Sequence, residues 1–274
     1  MSPQAISVEY LDRVAVITID NVQKLNALSQ QQYYDLAQTL REVAKRDDVF
    51  VTVLIGKGRF FSAGADVSLA KDAPVAASDA HRHWLQSFVA NNLNATNAFY
   101  THPKILVSAL NGPVVGLSAA LVAFSDFIYA TPHTFLLTPF SSLGLVTEGG
   151  ASRALVQRLG ISKANEALIM SRRIPASELL ATGFVNKIFE DVGTDVGEDE
   201  KFRRLVLDEV NDKLGNHLIG DSLLGIKKLI RGPEMDLLDR QNTREVFAGL
   251  ERFVAGVPQE EFRKLATGEK RHKL

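Results

Sequence analysis

The sequence predicts an α/β fold, with a mixed core of strands and helices over residues 1–198 and a helical region over residues 199–274. Two observations predict this division. Up to residue 198, short apolar stretches bounded by turn residues alternate with segments whose apolar residues recur at helical spacing. Beyond it the pattern is helical and more charged, without a strand pattern. We therefore expect one compact core, with the C-terminal helices packed on it or on another subunit.

The first predicted elements are a strand, a helix and a second strand. Val14–Asp20 ("VAVITID") alternates apolar and polar residues, which is typical of a strand. After Ser29, a favourable N-cap, apolar residues at helical spacing predict an amphipathic helix. The next strand is predicted at Phe50–Gly56 ("FVTVLIG"), and Gly58 and Gly64 mark the loop that follows it.

The middle of the chain continues this alternation. A helix is predicted from Asp79 to Phe99, and Pro103 ends it. The next stretches predict a strand, a turn, a helix, two short strands and a helix: "KILVSAL", "NGPVVG", "LSAALVAF", "DFIYAT", "TFLLTP" and "GASRALVQRLG". Three amphipathic segments predict the C-terminal helices: "DEKFRRLVLDEVNDKL", "SLLGIKKLIRG" and "EMDLLDRQNTREVFAGLERFVAG".

Composition and charge exclude several classes of function. The 274 residues are 46% hydrophobic and 23% charged, and the net charge of -1 provides no basic field for nucleic acid. There is no cysteine, so disulfides, thiolate metal sites and cysteine nucleophiles are excluded. The N-terminus lacks the basic, apolar and small-residue order of a signal peptide, so no secretion is expected.

One uncharged run, between Lys104 and Asp126, is long enough to cross a bilayer. Asn111, Gly112 and Pro113 interrupt it and divide it into a strand, a turn and a helix. We therefore predict no membrane span.

Metal, hydrolase and phosphate-binding motifs are poorly matched. None of the six histidines forms the i, i+4 pair of a zinc protease helix, so no metal site is predicted. "GLSAA" (Gly116–Ala120) resembles a nucleophile elbow but ends in alanine, and no catalytic partner can be assigned, which disfavours a serine hydrolase. "GKGRFFSAG" has neither a dinucleotide pattern nor a Walker lysine.

Two glycine-containing turns and one carboxylate remain as candidates. "SAGAD" (Ser62–Asp66) and "NGPVVGLS" (Asn111–Ser118) each lead from a strand toward a helix, and such turns can aim backbone N–H groups at a developing oxyanion. Glu148 lies in the apolar stretch "LGLVTEGG", just before a predicted helix. It could cap that helix or act as a catalytic base.

Together these features resemble the crotonase superfamily, also called the enoyl-CoA hydratase/isomerase family, and most closely its fungal peroxisomal Δ3,Δ2-enoyl-CoA isomerases. The motifs that carry the resemblance are "LNAL", "GRFFSAGAD", "NGPVVGLSAALVAFSD", "FSSLGLVTEGG" and "LLATGFVNKIF". The resemblance implies a crotonase-like spiral of repeated strand-strand-helix units with a C-terminal helical trimerisation region. It also implies a homotrimer or a dimer of trimers.

The resemblance also implies which residues form the acyl-CoA site. The backbone N–H groups of Ala65 and Leu117 would bind the thioester oxygen, and Lys24 and Ala27 would lie near the adenine end of coenzyme A. The other implied acyl-CoA-binding residues are Ala63, Gly64, Asp66 and Val67. Asp66 could instead cap the helix after its loop. Coenzyme A is part of the substrate, so we expect no separate cofactor.

The same resemblance implies that Glu148 is the catalytic base. The absence of a second glutamate suggests which reaction it catalyses. Hydratases of this family carry a second glutamate three residues beyond the second oxyanion donor, where this chain has Ala120. A single carboxylate can move a proton from C2 to C4 without adding water, which favours an isomerase. Asn92 matches an asparagine of the fungal isomerases and either orients Glu148 or is an ordinary polar helix residue.

The sequence therefore favours a Δ3,Δ2-enoyl-CoA isomerase of unsaturated fatty-acid β-oxidation. A dienoyl-CoA isomerase, an enoyl-CoA hydratase and a non-catalytic acyl-CoA-binding subunit remain alternatives. The C-terminal tripeptide His-Lys-Leu resembles the peroxisomal signal Ser-Lys-Leu, which predicts an import receptor as a partner and a location in the peroxisomal matrix. The alternative is a frayed basic tail.

Overall fold

The computed structural model describes residues 5–66 and 79–270 of the chain. These residues form a six-stranded sheet, in the order β1-β2-β3-β4-β6-β9, and a three-stranded sheet, in the order β5-β7-β8. The strands are β1 (Ile6–Leu11), β2 (Val14–Ile19), β3 (Val51–Gly56), β4 (Ile105–Leu110), β5 (Val114–Val115), β6 (Phe127–Ala130), β7 (Phe135–Leu137), β8 (Ile174–Pro175) and β9 (Lys187–Ile188).

Most neighbouring strands of the large sheet are parallel. Only β1 and β2 form an antiparallel hairpin, while β2-β3, β3-β4, β4-β6 and β6-β9 pair in parallel. Parallel neighbours require crossover connections, and the helices between the strands supply most of them. In the small sheet β5 and β7 are parallel, and β8 is antiparallel to β7.

Helices cover the sheets and form the C-terminal region. Those of the described residues are α1 (Gln30–Ala44), α2 (Ala80–Trp84), α3 (Ala90–Tyr100), α4 (Gly116–Val122), α5 (Ala151–Leu159), α6 (Ile161–Leu168), α7 (Ala176–Ala181), α8 (Glu198–Leu214), α9 (Gly220–Arg231), α10 (Met235–Val254) and α11 (Val257–Thr267). The helix predicted from Asp79 to Phe99 is therefore confirmed, except that a π-helical segment, Leu85–Val89, joins α2 to α3.

The predicted α/β core and helical C-terminal region are confirmed. The helix predicted after Ser29 is α1, and Ser29 caps it in a capping box with Gln32. The individual elements β1, β5, β8, β9, α6, α7 and α11 were not predicted. Of these, β5, β8 and β9 are only two residues long, too short to show a period. The uncharged run from Lys104 to Asp126 forms β4, β5 and α4.

The central strands bury both faces, which produces two hydrophobic cores. On β2, Ala15 and Ile17 face a core shared with α1 and α4, whereas Val14 and Val16 face a core shared with α8. Because side chains alternate along a strand, one sheet can support helices on both sides. Helix α8 fills the second core with Phe202, Val206, Val210 and Leu214.

The C-terminal helices thus complete the core. The predicted division after residue 198 falls at the start of α8; as a division into separate domains it stays a prediction. In the described part of the chain, no helix is long and apolar enough to span a membrane.

A buried ion pair attaches α9 to the core. The Lys227 ammonium lies 2.6 Å from the Asp126 carboxylate and also donates to the Lys104 carbonyl at 2.6 Å, with the Lys227 side chain only 8% exposed. Arg231, one turn further along α9, lies 3.2 Å from the same carboxylate. Burial lowers the pKa of Lys227, and the adjacent Asp126 carboxylate opposes this shift.

We predict that Lys227→Met lowers the free energy of unfolding by about 3 kcal/mol, because it removes one partner of a buried pair. Lys228→Met is the matched control, since Lys228 is exposed on the same helix. Urea unfolding of both variants at pH 7 measures the difference. Equal stability of the two variants would contradict the role of the pair.

Candidate active site

A cavity of about 530 Å³ lies between the core and the C-terminal helices. Five of the residues predicted for the site line it: Ala65, Asp66, Asn92, Leu117 and Glu148. These residues come from a loop after β3, from α3, from α4 and from the loop before α5, so the fold brings together segments that are far apart in sequence.

The two predicted glycine turns lie against each other. Val115 N–H donates to the Ser62 carbonyl at 2.9 Å, and a Cβ atom on Gly64 would lie 2.9 Å from the Val115 carbonyl oxygen. Gly64 also has a φ of +89°, so both its conformation and this contact require glycine. The close approach sets Ala65 and Leu117 on the same cavity wall.

The backbone around Ala65 directs its N–H away from the neighbouring strand segment. Leu28 N–H donates to the Gly64 carbonyl, and Asp66 N–H donates to the Leu28 carbonyl, both at 2.9 Å. In this parallel bridge the groups of the intervening Ala65 point to the opposite side. Leu117 is in the first turn of α4, where N–H groups have no partner within the helix.

The "LNAL" motif has a structural role. Asn26 is fully buried with a φ of +57°, and its amide donates to the carbonyls of Lys57 and Phe60 at 2.9 and 2.7 Å. Asparagine tolerates this left-handed conformation better than most residues. The motif therefore ties the turn before α1 to the loop after β3.

Glu148 is held by a short hydrogen-bonded chain from α3. Asn92, only 4% exposed, donates from Nδ2 to Glu148 Oε2 at 2.8 Å. Thr96, one turn along the helix, donates to Asn92 Oδ1 at 3.3 Å, which fixes the direction of the amide. Of the two readings of Asn92, the contact with Glu148 favours the orienting one.

Burial gives Glu148 the protonation properties of a general base. Desolvation, together with the nearby Glu245 carboxylate, raises the pKa of Glu148 to about 7, and the Asn92 hydrogen bond opposes this increase. A carboxylate with a pKa near neutrality can both accept and return a proton at physiological pH. Its environment is therefore suited to proton transfer.

Ala120 leaves space for the Glu148 loop. A Cβ atom added to Gly149 would lie only 2.8 Å from Ala120 Cβ, so the loop packs directly on α4. Ala120 is fully buried. A carboxylate at position 120 would have to occupy space that this contact fills.

Sequence reasoning missed a buried hydroxyl network beside the two turns. Ser118 Oγ lies 2.9 Å from the Tyr33 hydroxyl and 2.8 Å from Ser62 Oγ, and Ser62 in turn donates to the Asn26 carbonyl. Within the described residues these contacts give Ser118 no histidine partner. The nucleophile-elbow interpretation of "GLSAA" gains no support, and the network instead braces the turns.

The aromatic part of the cavity was also missed. Trp84 stacks on Phe253 with ring centroids 4.5 Å apart, and Phe88 contacts the same ring at 4.6 Å. All three line the cavity, so its walls are largely apolar. Phe253 belongs to α10, and no local sequence pattern connects that helix with the other two aromatic residues.

The other predicted acyl-CoA-site residues differ in whether they line the cavity. Asp66 lines it and forms a 2.6 Å ion pair with Lys24, whose side chain is about half exposed. Ala27, Ala63 and Gly64 belong to the adjoining turns but do not line the cavity. Val67 lies outside the described residues.

No metal centre is found in residues 5–66 and 79–270: no three or more histidine, aspartate or glutamate side chains are grouped so that they could hold a metal ion. The candidate chemistry of the cavity therefore centres on Glu148, its asparagine partner and the two backbone turns.

Known proteins with similar sequences include two named isomerases. The chain is 68% identical to the Delta(3,5)-Delta(2,4)-dienoyl-CoA isomerase of Pyricularia oryzae, over 98% of each protein. It is 36% identical to the 3,2-trans-enoyl-CoA isomerase of Saccharomyces cerevisiae, over 94% of this chain and 93% of that protein.

Structural comparison supports the crotonase-like architecture. The backbone matches an enoyl-CoA hydratase/isomerase from Pseudoalteromonas atlantica with a TM-score of 0.82 and 23% identity, over 98% of this chain and 100% of that one. At this identity the likeness shows the fold alone. Residues 9–205 match the sequence family described as Enoyl-CoA hydratase/isomerase. Together with the two relatives, this match shows that the chain belongs to the enoyl-CoA hydratase/isomerase family.

Proposed function

We propose that the protein is a Δ3,Δ2-enoyl-CoA isomerase, which moves the double bond of a 3-enoyl-CoA to the 2-trans position in the β-oxidation of unsaturated fatty acids. One observation carries this proposal. Among the described residues two carboxylates line the cavity, Asp66 and Glu148, and Asp66 is paired with Lys24, whereas Glu148 accepts a hydrogen bond from a neutral amide. Glu148 is therefore the cavity group best suited to transfer a proton.

In the proposed mechanism Glu148 takes a proton from C2 of the 3-enoyl thioester. The electrons of that C–H bond move onto the thioester oxygen and form a dienolate. Backbone N–H groups of Ala65 and Leu117 stabilise the oxygen as its charge develops, which lowers the barrier rather than only binding the substrate. Glu148 then returns the proton to C4, the double bond forms between C2 and C3, and the base is regenerated.

At the position where hydratases of the family carry their second glutamate, this chain has Ala120, which disfavours the hydration of a double bond. Adding water requires one group to activate the water and another to protonate the carbon, and the family position for the second glutamate is filled by Ala120 against Gly149. Support for double-bond migration also comes from the two named relatives, both of which are isomerases.

A Δ3,5-Δ2,4-dienoyl-CoA isomerase is the second candidate, because the 68% identical relative carries that name. The first step would be the same: Glu148 removes the C2 proton. The proton would then have to reach C6 instead of C4, two carbon atoms further along the chain. A side chain near that end of the acyl group, or movement of the chain past Glu148, would be needed.

Location and assembly are part of the proposal. The C-terminal His-Lys-Leu, which lies outside the described residues, supports import into the peroxisomal matrix through its receptor. Ile226, Leu229 and Ile230 form an exposed apolar face of α9. Such a face supports a homotrimer or a dimer of trimers in which it is covered.

The first prediction concerns activity. Wild-type protein converts 3-hexenoyl-CoA to the conjugated 2-enoyl thioester, and Glu148→Gln lowers kcat by at least about 100-fold, because the amide cannot accept the proton. Ultraviolet absorbance follows the conjugated product, with 3,5-octadienoyl-CoA measured in parallel. Faster turnover of the dienoyl substrate would favour the second candidate. Tight acyl-CoA binding without turnover of either substrate would indicate a non-catalytic subunit.

The second prediction concerns pH. Proton abstraction needs the ionised form of Glu148, so kcat/KM should rise with pH through about 7 and then level off. A pH series with 3-hexenoyl-CoA measures this limb. If kcat/KM instead rises with a midpoint near pH 4.5, the ordinary pKa of glutamate, then Glu148 is not a base with a raised pKa.

The third prediction concerns stability. The folded pKa of Glu148 is about 7 and its ordinary value is 4.5, so the folded state binds more protons between these values and stability falls as pH rises through them. Glu148→Gln removes this loss, so at pH 8 its free energy of unfolding should exceed that of the wild type by about 3 kcal/mol and it should unfold at a higher temperature. Thermal unfolding at pH 8 and pH 5 tests this, since the difference should shrink at pH 5.

A further inference from the structure

The loop that carries Glu148 is anchored by a buried glutamate from the C-terminal region. Glu245, on α10, is only 4% exposed. Its Oε2 accepts from Gly150 N–H at 2.7 Å, and its Oε1 accepts from Ser152 N–H at 2.8 Å and from the Ser152 hydroxyl. The side chain therefore satisfies the N–H groups of Gly150, the N-cap of α5, and of Ser152, in its first turn, close to Glu148.

Burial raises the pKa of Glu245, and the hydrogen-bond donors around its carboxylate oppose this increase and favour the ionised form. Gln241 donates to Ser152 Oγ at 2.8 Å, so the Ser152 hydroxyl hydrogen is free to point to Glu245. Two backbone N–H groups and a hydroxyl then face the carboxylate, and Thr147 adds a side-chain hydrogen bond. A protonated carboxylic acid would have to place its own hydrogen among these donors.

Glu245 takes the capping role that the sequence left open for Glu148. The N-cap position of α5 is Gly150, which has no side chain that could cap the helix. A carboxylate at a helix N-terminus is stabilised by the unpaired N–H groups and by the helix dipole. Because α10 provides this carboxylate, Glu148 is not needed as the cap, and its side chain instead accepts a hydrogen bond from Asn92 and lines the cavity.

We propose that Glu245 is a positioning residue for the isomerase reaction: its carboxylate clamps the Glu148 loop to α10 and places a fixed negative charge behind the base. This inference rests on the proposed function, in which Glu148 is the base. The fixed charge disfavours a second anion nearby, so it helps to raise the pKa of Glu148. The clamp fixes where Glu148 meets the substrate, and the charge makes it a stronger base.

Few other charged groups face Glu148. From α1, Tyr33 has a pKa raised by burial and stays neutral. His83 and Asp66 line the same cavity, and the Asp66 carboxylate is paired with Lys24. Within the described residues no lysine or arginine forms an ion pair with Glu245, since the adjacent Arg153 pairs with Glu234 instead. Among the residues that the structure describes, the direct partners of Glu245 are therefore neutral hydrogen-bond donors.

Glu245→Gln tests the charge, because it keeps the length of the side chain and removes the anion. We expect kcat to fall roughly 10-fold or more, since the loop loses an acceptor and Glu148 shifts. We also expect the acid limb of kcat/KM to move to lower pH by about 0.5–1 unit. If Glu245 had only a structural role, its substitution would lower activity without shifting the pH dependence of kcat/KM.

Glu245→Asp tests the clamp, because it keeps the charge but shortens the reach to the α5 N–H groups. It should lower kcat several-fold while its acid limb stays within about 0.3 unit of the wild type. If the kcat of Glu245→Asp equals that of the wild type, the positioning role is overturned. This outcome is informative even if Glu245→Gln fails to fold. Glu251→Gln, the same charge change at an exposed position of α10, is the matched control and should behave as wild type.

A titration without substrate separates this inference from the proposed function. Carbon-13 NMR of glutamate side chains, with Glu148→Gln to assign the signal, measures the pKa of the Glu148 carboxyl group in wild type and in Glu245→Gln. A lower value in the variant supports the charge effect even if the protein turns over neither enoyl-CoA. An unchanged value, with the isomerase activity present, would overturn the inference and leave the proposed function standing.

Discussion

The cavity depends on one steric constraint, the direct contact between the backbones of two turns. A Cβ atom on Gly64 would collide with the Val115 carbonyl, so the chain can close here only with glycine. This contact fixes the start of α4, and α4 in turn supports the Glu148 loop through Ala120 and Gly149. Packed interiors transmit such constraints because they contain few voids that could absorb a shift. The two proposed oxyanion donors and the proposed base are therefore positioned by one continuous set of contacts.

This arrangement disfavours the ionised form of Glu148. Its apolar surroundings disfavour its charge, and the nearby Glu245 adds to the effect, so the ionised base lowers the stability of the folded protein near neutral pH. The same conditions make it more reactive toward a C–H bond. The Asn92 hydrogen bond limits the increase in pKa and sets the direction of the carboxylate. The basicity of Glu148 thus depends on its burial and on Glu245, whereas its orientation depends on Asn92.

The C-terminal helices connect stability with the site. Helix α8 completes one hydrophobic core, and the buried pair of Lys227 with Asp126 fastens α9 beside it. Helix α10 carries both Phe253, which lines the aromatic part of the cavity, and Glu245, which caps α5. A boundary at residue 198 describes the change in sequence pattern, but residues on both sides of it form the cavity. The region predicted for assembly therefore also contributes to the site of a single chain.

The sequence by itself determined the longer elements and the family, and it singled out Glu148 as the candidate base, because these depend on local periodicity and on motifs that are contiguous in the chain. Ser29 before an apolar helical pattern, or Glu148 in an apolar loop, can be recognised from neighbouring residues alone. Only the tertiary structure showed which carboxylate caps α5, since the cap comes from Glu245, 95 residues away from Gly150, and not from Glu148. The raised pKa of Glu148 also arises only when distant segments remove its water, an effect of burial that no local pattern encodes.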